Sequence, residues 1–173
     1  MTRQELSPTG KVLFEAECAT LIFQRRLSHP PEAVWKAITD PKQVSVWYML
    51  HAEIDGRAGG SIHFSGGPQQ FDVTGRILQW DPPRVLEYEW KIKPRPGMAS
   101  GEDTVVRWEL DRDGGETLLT LTHRNVTRQT AGGIGPATHV LLDRLGALLD
   151  GRPLPEMRER FAEVQGQYPA RQA

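Results

Sequence analysis

Three runs in the second half of the chain alternate apolar and polar side chains residue by residue. In VLEYEWKIK, Leu86, Tyr88, Trp90 and Ile92 oppose Glu87, Glu89, Lys91 and Lys93. In VVRWEL, Val106, Trp108 and Leu110 oppose Arg107 and Glu109; in TLLTLTHR, Leu119, Leu121 and His123 oppose Thr120, Thr122 and Arg124. A period of two with one charged face predicts strands of a sheet that is covered on one side and wet on the other. Glu87, Glu89, Lys91, Arg107 and Thr120 are expected to be largely exposed, and Leu86, Trp108 and Leu121 buried. The runs are punctuated by DGRAGG, SGGPQ, DPPR, KPRPGMASGED and DRDGGE, the turn chemistry of an antiparallel meander.

A sheet with one apolar face needs a cover, and two segments qualify. In HPPEAVWKAITDPKQVSVW, Pro30 and Pro31 can open a helix and Glu32 suits its positive end, and Asp40-Pro41 repeats the start signal with Asp as N-cap and Pro at the first helical position. The stretch predicts two short helices in a V, each offering a tryptophan, Trp35 or Trp47, to the surface beneath. Near the end, ATHVLLDRLGALLD predicts a long helix over Ala137–Asp150 with Val140, Leu141, Leu145, Leu148 and Leu149 on one stripe. The glycine-rich AGGIGP before it reads as a mobile loop. Residues Glu156 to Tyr168 can form a further amphipathic helix through Met157, Phe161 and Val164, and Leu13 to Leu27 a long strand or a hairpin. The expected architecture is α+β: six or seven antiparallel strands curved around one long C-terminal helix, with two short helices closing one end. Residues 1–173 are expected to form one domain, with a core over about 12–153 and a C-terminal extension over 154–173.

Charge narrows the function. Against 22 acidic residues stand 21 basic ones, so no strong field draws the chain to nucleic acid or an anionic surface. The one cysteine, Cys18, excludes an internal disulfide and reads as a half-buried strand residue in a reducing compartment. The first residues carry no apolar run of a signal peptide, and no stretch approaches the ~18 apolar residues of a membrane span. A cytoplasmic location is expected.

The order HPPEAVWKAITDP, Trp47, DGRAGG, FDVTGRILQWDPPRVLEYEW, VVRWEL, TLLTLTH and HVLLDRLGALLDGRP resembles the activator-of-heat-shock-protein-ATPase homologue (Aha-type) family. That family belongs to the START-like, or SRPBCC, superfamily with its helix-grip fold, and the likeness runs from about Leu21 to Pro153. It implies a cavity between sheet and long helix that takes an apolar or aromatic small molecule or a lipid. Relatives often carry Gly-Trp before the helix histidine, where this chain has Ala137 and Thr138 before His139. The resemblance therefore implies a mouth widened near Thr138.

The pocket candidates are Trp47, Phe64, Phe71, Tyr88, Trp90, Trp108, His123, Thr138 and His139. Large rigid rings with a polar tip suit such a pocket, and they suit a filled core equally. His123 reads either as a ligand contact or as a core histidine satisfied by one hydrogen bond. No H-x-x-x-H, H-x-H or C-x-x-C spacing occurs, so no metal is expected, and no glycine run has the spacing of a nucleotide cofactor site. The inward rings and the resemblance together favour binding of a small hydrophobic molecule, with no catalytic residue assigned. The resemblance also implies, as alternatives, a cyclase or dehydratase, for which His123 and His139 are the only candidate acid or base, or a chaperone-associated interaction module. A homodimer is compatible with any of them.

Overall fold

The computed structural model describes residues 5–170. The chain opens with the strands β1 (Lys11–Phe14) and β2 (Cys18–Leu27), followed by the helices α1 (Pro31–Thr39) and α2 (Pro41–Trp47). Six strands follow: β3 (His51–Ile54), β4 (Ser61–Gly66), β5 (Phe71–Asp81), β6 (Val85–Ile92), β7 (Glu102–Asp113) and β8 (Glu116–Thr127). The helices α3 (Arg128–Leu149) and α4 (Met157–Val164) and a 3₁₀ turn, Gln165–Gln167, complete the fold. All strands join one antiparallel sheet in the order β1-β2-β8-β7-β6-β5-β4-β3. The eighth strand arises because Leu13 to Leu27 folds as a hairpin, turned at Glu15–Glu17 by residues without glycine or proline.

Alternation settles the register. Leu86, Trp108, Leu121 and Phe23 form one row across β6, β7, β8 and β2; Tyr88, Val106, His123 and Leu21 form the next. Every member of both rows is buried. The opposite face is drier than the sequence suggests. Glu87, Glu89, Lys91, Arg107 and Thr120 are half-buried rather than largely exposed. The cause is a cross-strand ion network: the Glu87 carboxylate lies 3.3 Å from both Arg107 and Arg124, and Lys91 lies 3.3 Å from Glu89. Long side chains that lie along the sheet to reach one another cover it with their methylenes.

The short helices start as their prolines require. Asp40 accepts a hydrogen bond from the Lys42 N–H, and the Trp47 indole N–H donates to the Ala37 carbonyl at 2.8 Å, fixing the V. Arg144 of α3 grips the other end. Its guanidinium donates to the Trp47 and Val46 carbonyls at 2.9 and 3.1 Å, and to Pro155. These carbonyls lack intrahelical partners, and a cation suits the negative end of α2. Just beyond, Met49 holds a left-handed backbone with φ +64°, a conformation without glycine's freedom there.

The long helix begins nine residues before the expected Ala137, because AGGIGP is helical rather than a loop. Local propensity opposes this: each glycine costs about 1 kcal/mol relative to alanine, and Pro136 forfeits a backbone bond. Packing overrides it. Ala131, Gly133, Gly135 and Pro136 are buried, and a Cβ on Gly135 would lie 2.8 Å from the Tyr168 ring. The apolar stripe also sits differently: Val140, Leu142 and Leu145 are buried, while Leu141, Leu148 and Leu149 are half-buried.

The C-terminal extension is a strap closed by Tyr168. Its hydroxyl accepts from the Gly10 N–H at 2.8 Å and lies 2.9 Å from His139 Nδ1. Tyr168→Phe should cost about 1–3 kcal/mol, because it strands a backbone donor and a buried ring nitrogen at once. Urea unfolding followed by circular dichroism measures this.

Candidate functional site

The inner face of the sheet is not evenly covered. The backbone of α3 lies closest to β2, then β8 and β1, while α2 lies against β3. Over the middle of the sheet, aromatic side chains occupy the space between helix and strands.

Five of these rings form a closed circuit. Trp47, at the end of α2, lies 5.2 Å from Tyr48, which meets Phe64 of β4 edge-to-face at 5.3 Å. Phe64 meets Tyr88 of β6 at 5.9 Å; the Trp108 indole N–H donates to the Tyr88 hydroxyl at 3.3 Å; and Trp108 returns to Trp47 edge-to-face at 6.0 Å. Such tilted contacts match the quadrupoles of the rings and add to plain burial. The alternation that placed Tyr88 and Trp108 inward also sets them on a diagonal of neighbouring strands, within reach of each other. Burial raises the pKa of the Tyr88 hydroxyl, and likewise that of Tyr48, so both stay protonated.

Trp90 and His123 extend the circuit. The Trp90 indole N–H donates to the Tyr48 hydroxyl at 3.2 Å, and its ring stands edge-to-face with the His123 imidazole at 5.2 Å. His123 is 5 % exposed, and burial pushes its pKa down to about 3. Its Nε2 lies 2.7 Å from the Thr104 hydroxyl, which donates to the Trp90 carbonyl at 2.7 Å. Close by along β7, Glu102 is buried at the N-terminus of α3. Its carboxylate accepts from the Thr127 N–H and hydroxyl at 3.2 and 2.7 Å and from the Thr130 hydroxyl. The positive end of α3 thus faces a fully engaged carboxylate.

The structure therefore brings together Trp47, Phe64, Tyr88, Trp90, Trp108 and His123. It sets the other three candidates elsewhere. Phe71 is half-buried at the start of β5 under the Arg95 guanidinium, 5.7 Å from the ring centre. Thr138 is half-buried on α3. His139 is buried against Tyr168, with Nε2 3.6 Å from Asp143, itself 2.9 Å from Arg160 and 3.7 Å from Arg25. Tyr48, Thr104 and Glu102 join the site without having been singled out in the sequence. Tyr48, adjoining Trp47, was within reach of the same reasoning; the other two break the apolar pattern of β7.

The outer face of the sheet bears a separate open groove of about 440 Å³, between Gly59 and Gly75 on one side and Glu89 and Lys91 on the other. Gly75 passes so close to β6 that a Cβ there would lie 1.7 Å from the Glu89 carbonyl oxygen. Its walls mix polar and apolar surface and lie open to solvent, without the convergent aromatic side chains of the inner face, which remains the candidate site. Among the described residues no group of His, Cys, Asp and Glu is arranged to hold a metal ion, and no described helix is long and apolar enough to cross a membrane.

Comparison with known proteins agrees with this geometry. The crystal structure of CalU16 from Micromonospora echinospora is 28 % identical, with a TM-score of 0.70 over 92 % of each chain. Protein MLL2253 from Mesorhizobium loti superimposes with a TM-score of 0.69 at 24 % identity, over 78 % of this chain and 99 % of its own. A Bordetella parapertussis protein does so with 0.68 at 24 %, over 97 % and 93 %. These share the helix-grip fold. No curated protein matches the sequence. The family model described as Activator of Hsp90 ATPase homolog 1-like protein matches residues 28–150, a span containing both short helices, β3 to β8 and all of α3. The elements that enclose the aromatic circuit are thus the elements of that model, and the chain belongs to the Activator of Hsp90 ATPase homolog 1-like family.

Proposed function

We propose that this protein is a cytoplasmic binding protein for an apolar or aromatic small molecule or a lipid chain. The ligand lies between α3 and the inner face of the sheet, among Trp47, Tyr48, Phe64, Tyr88, Trp90, Trp108 and His123. The closed aromatic circuit carries the reading, since it stands on β4, β6 and β7, to which α3 packs less closely than to β2. The Trp90 and Trp108 indoles bond to the Tyr48 and Tyr88 hydroxyls, so an apolar guest that parts these rings breaks no bond to the backbone, while the Trp47 indole stays on the Ala37 carbonyl.

Binding is favoured over acid–base chemistry by the two ionisable groups nearby. His123 is held neutral by burial, far from the pKa near 7 that suits a general base, and Glu102 is occupied by three donors.

A thermal-shift screen of naphthalenes, phenols and fatty acids tests the proposal. A ligand that binds only the folded state adds RT ln(1 + [L]/Kd), about 2.7 kcal/mol at a hundredfold excess over Kd. For a domain of this size that is a rise in Tm of roughly 5–10 °C. No rise with any compound, at concentrations up to solubility, would contradict it.

A further inference from the structure

The hydrogen bonds around His123 fix which of its ring nitrogens carries the proton. A threonine hydroxyl has one hydrogen, and that of Thr104 goes to the Trp90 carbonyl, which can only accept. Toward His123 the same hydroxyl must therefore accept, so the imidazole donates from Nε2. With the ring neutral, Nδ1 is left with a bare lone pair.

No described group partners that lone pair. Among the described residues two side-chain atoms are sealed away without a hydrogen bond, Arg25 Nη2 and His139 Nε2, both near the Asp143 carboxylate, and His123 Nδ1 is not one of them. It therefore keeps a trace of accessible surface in a residue that is 5 % exposed as a whole. A nearly buried acceptor without a partner, held against the Trp90 ring, is poised for a donor that the described residues do not supply.

We infer that His123 Nδ1 is the polar reader of the site, so that the ligand is a neutral apolar or aromatic molecule bearing a hydroxyl or N–H donor. The inference rests on the proposed cavity binding. The matching ether offers no proton to Nδ1. The matching carboxylate brings a charge that a neutral imidazole with a bare lone pair repels and that burial penalises. The Tyr48 hydroxyl, which accepts from Trp90 and keeps its own proton, gives an ether an alternative partner, so the test compares a donor with an acceptor on one skeleton.

Calorimetric titration with 2-naphthol, 2-methoxynaphthalene and 2-naphthoate provides that test. The wild type should bind 2-naphthol about 3- to 10-fold tighter than the ether, as one neutral hydrogen bond allows, and 2-naphthoate weakest. His123→Phe should lose the preference for 2-naphthol over the ether. Equal binding of naphthol and ether, or a preference that survives His123→Phe, overturns the inference and leaves the cavity reading intact. Binding of none of the three overturns both. Should the variant fold poorly, ¹⁵N shifts of the wild-type histidines decide independently. A protonated Nε2 and a bare Nδ1 at His123 are expected, and a protonated Nδ1 overturns the inference.

Discussion

Trp108→Ala should lower the stability of the protein by about 3–5 kcal/mol, the range for removing a large aromatic from a packed interior. Trp108 is 5 % exposed, stands in the central row of the sheet between Leu86 and Leu121, and closes the circuit at Trp47. Its loss removes an edge-to-face contact and strips the Tyr88 hydroxyl of its donor in a site where burial makes an unpaired polar group costly. Chemical denaturation should show a lower midpoint with an unchanged slope. Leu78→Ala, at a position 43 % exposed, should stay within about 0.5 kcal/mol and serves as the control.

The second large effect is loss of stability in mild acid. Unfolded histidine titrates near 6.5, whereas burial holds His123 neutral in the fold down to about 3. Between these values the unfolded chain binds a proton that the folded one refuses. The contribution of His123 is therefore fully present above pH 6.5 and is lost as pH falls, by about 1.4 kcal/mol per unit and about 2 kcal/mol by pH 5. His139 acts in the same direction, since burial lowers its pKa, Asp143 opposes this, and Arg25 and Arg160 reinforce it. His63 is the opposite case. Its bond to Asp72 raises its pKa, so its contribution is present below the unfolded value and is lost only as pH rises past the folded one. It opposes the acid loss only above the unfolded value and adds nothing further below it. Urea midpoints measured from pH 7 to pH 4.5 should fall steadily, and His123→Phe should flatten the dependence.

Local rules made much of this fold legible. Asp40-Pro41 marked the break between α1 and α2 to the residue, and alternation in β6, β7 and β8 assigned the buried face correctly. The same rules misjudged features decided at long range. The AGGIGP run is helical because Tyr168, over thirty residues on, packs where Gly135 has no side chain. The outer face is half-covered because Glu87 draws in arginines from two other strands. In the site, the inward rings could be named but not their partners. Trp90 meets Tyr48 across the fold, Arg144 holds the carbonyl of Trp47, and His139 is claimed by the C-terminal strap. Periodicity assigns a face; it does not say which side chain from another element meets it there.

The five tryptophans offer a direct test of where a ligand sits. Trp47, Trp90 and Trp108 belong to the circuit or touch it, while Trp35 of α1 and Trp80 of β5 form a separate edge-to-face pair at 5.0 Å. Titrating 2-naphthol into ¹⁵N-labelled protein and following the five indole N–H resonances reads both groups at once. Binding between α3 and the sheet predicts saturable shifts at Trp47, Trp90 and Trp108, with Trp35 and Trp80 unmoved. Shifts confined to Trp35 and Trp80, or no shift at any of the five, would contradict it.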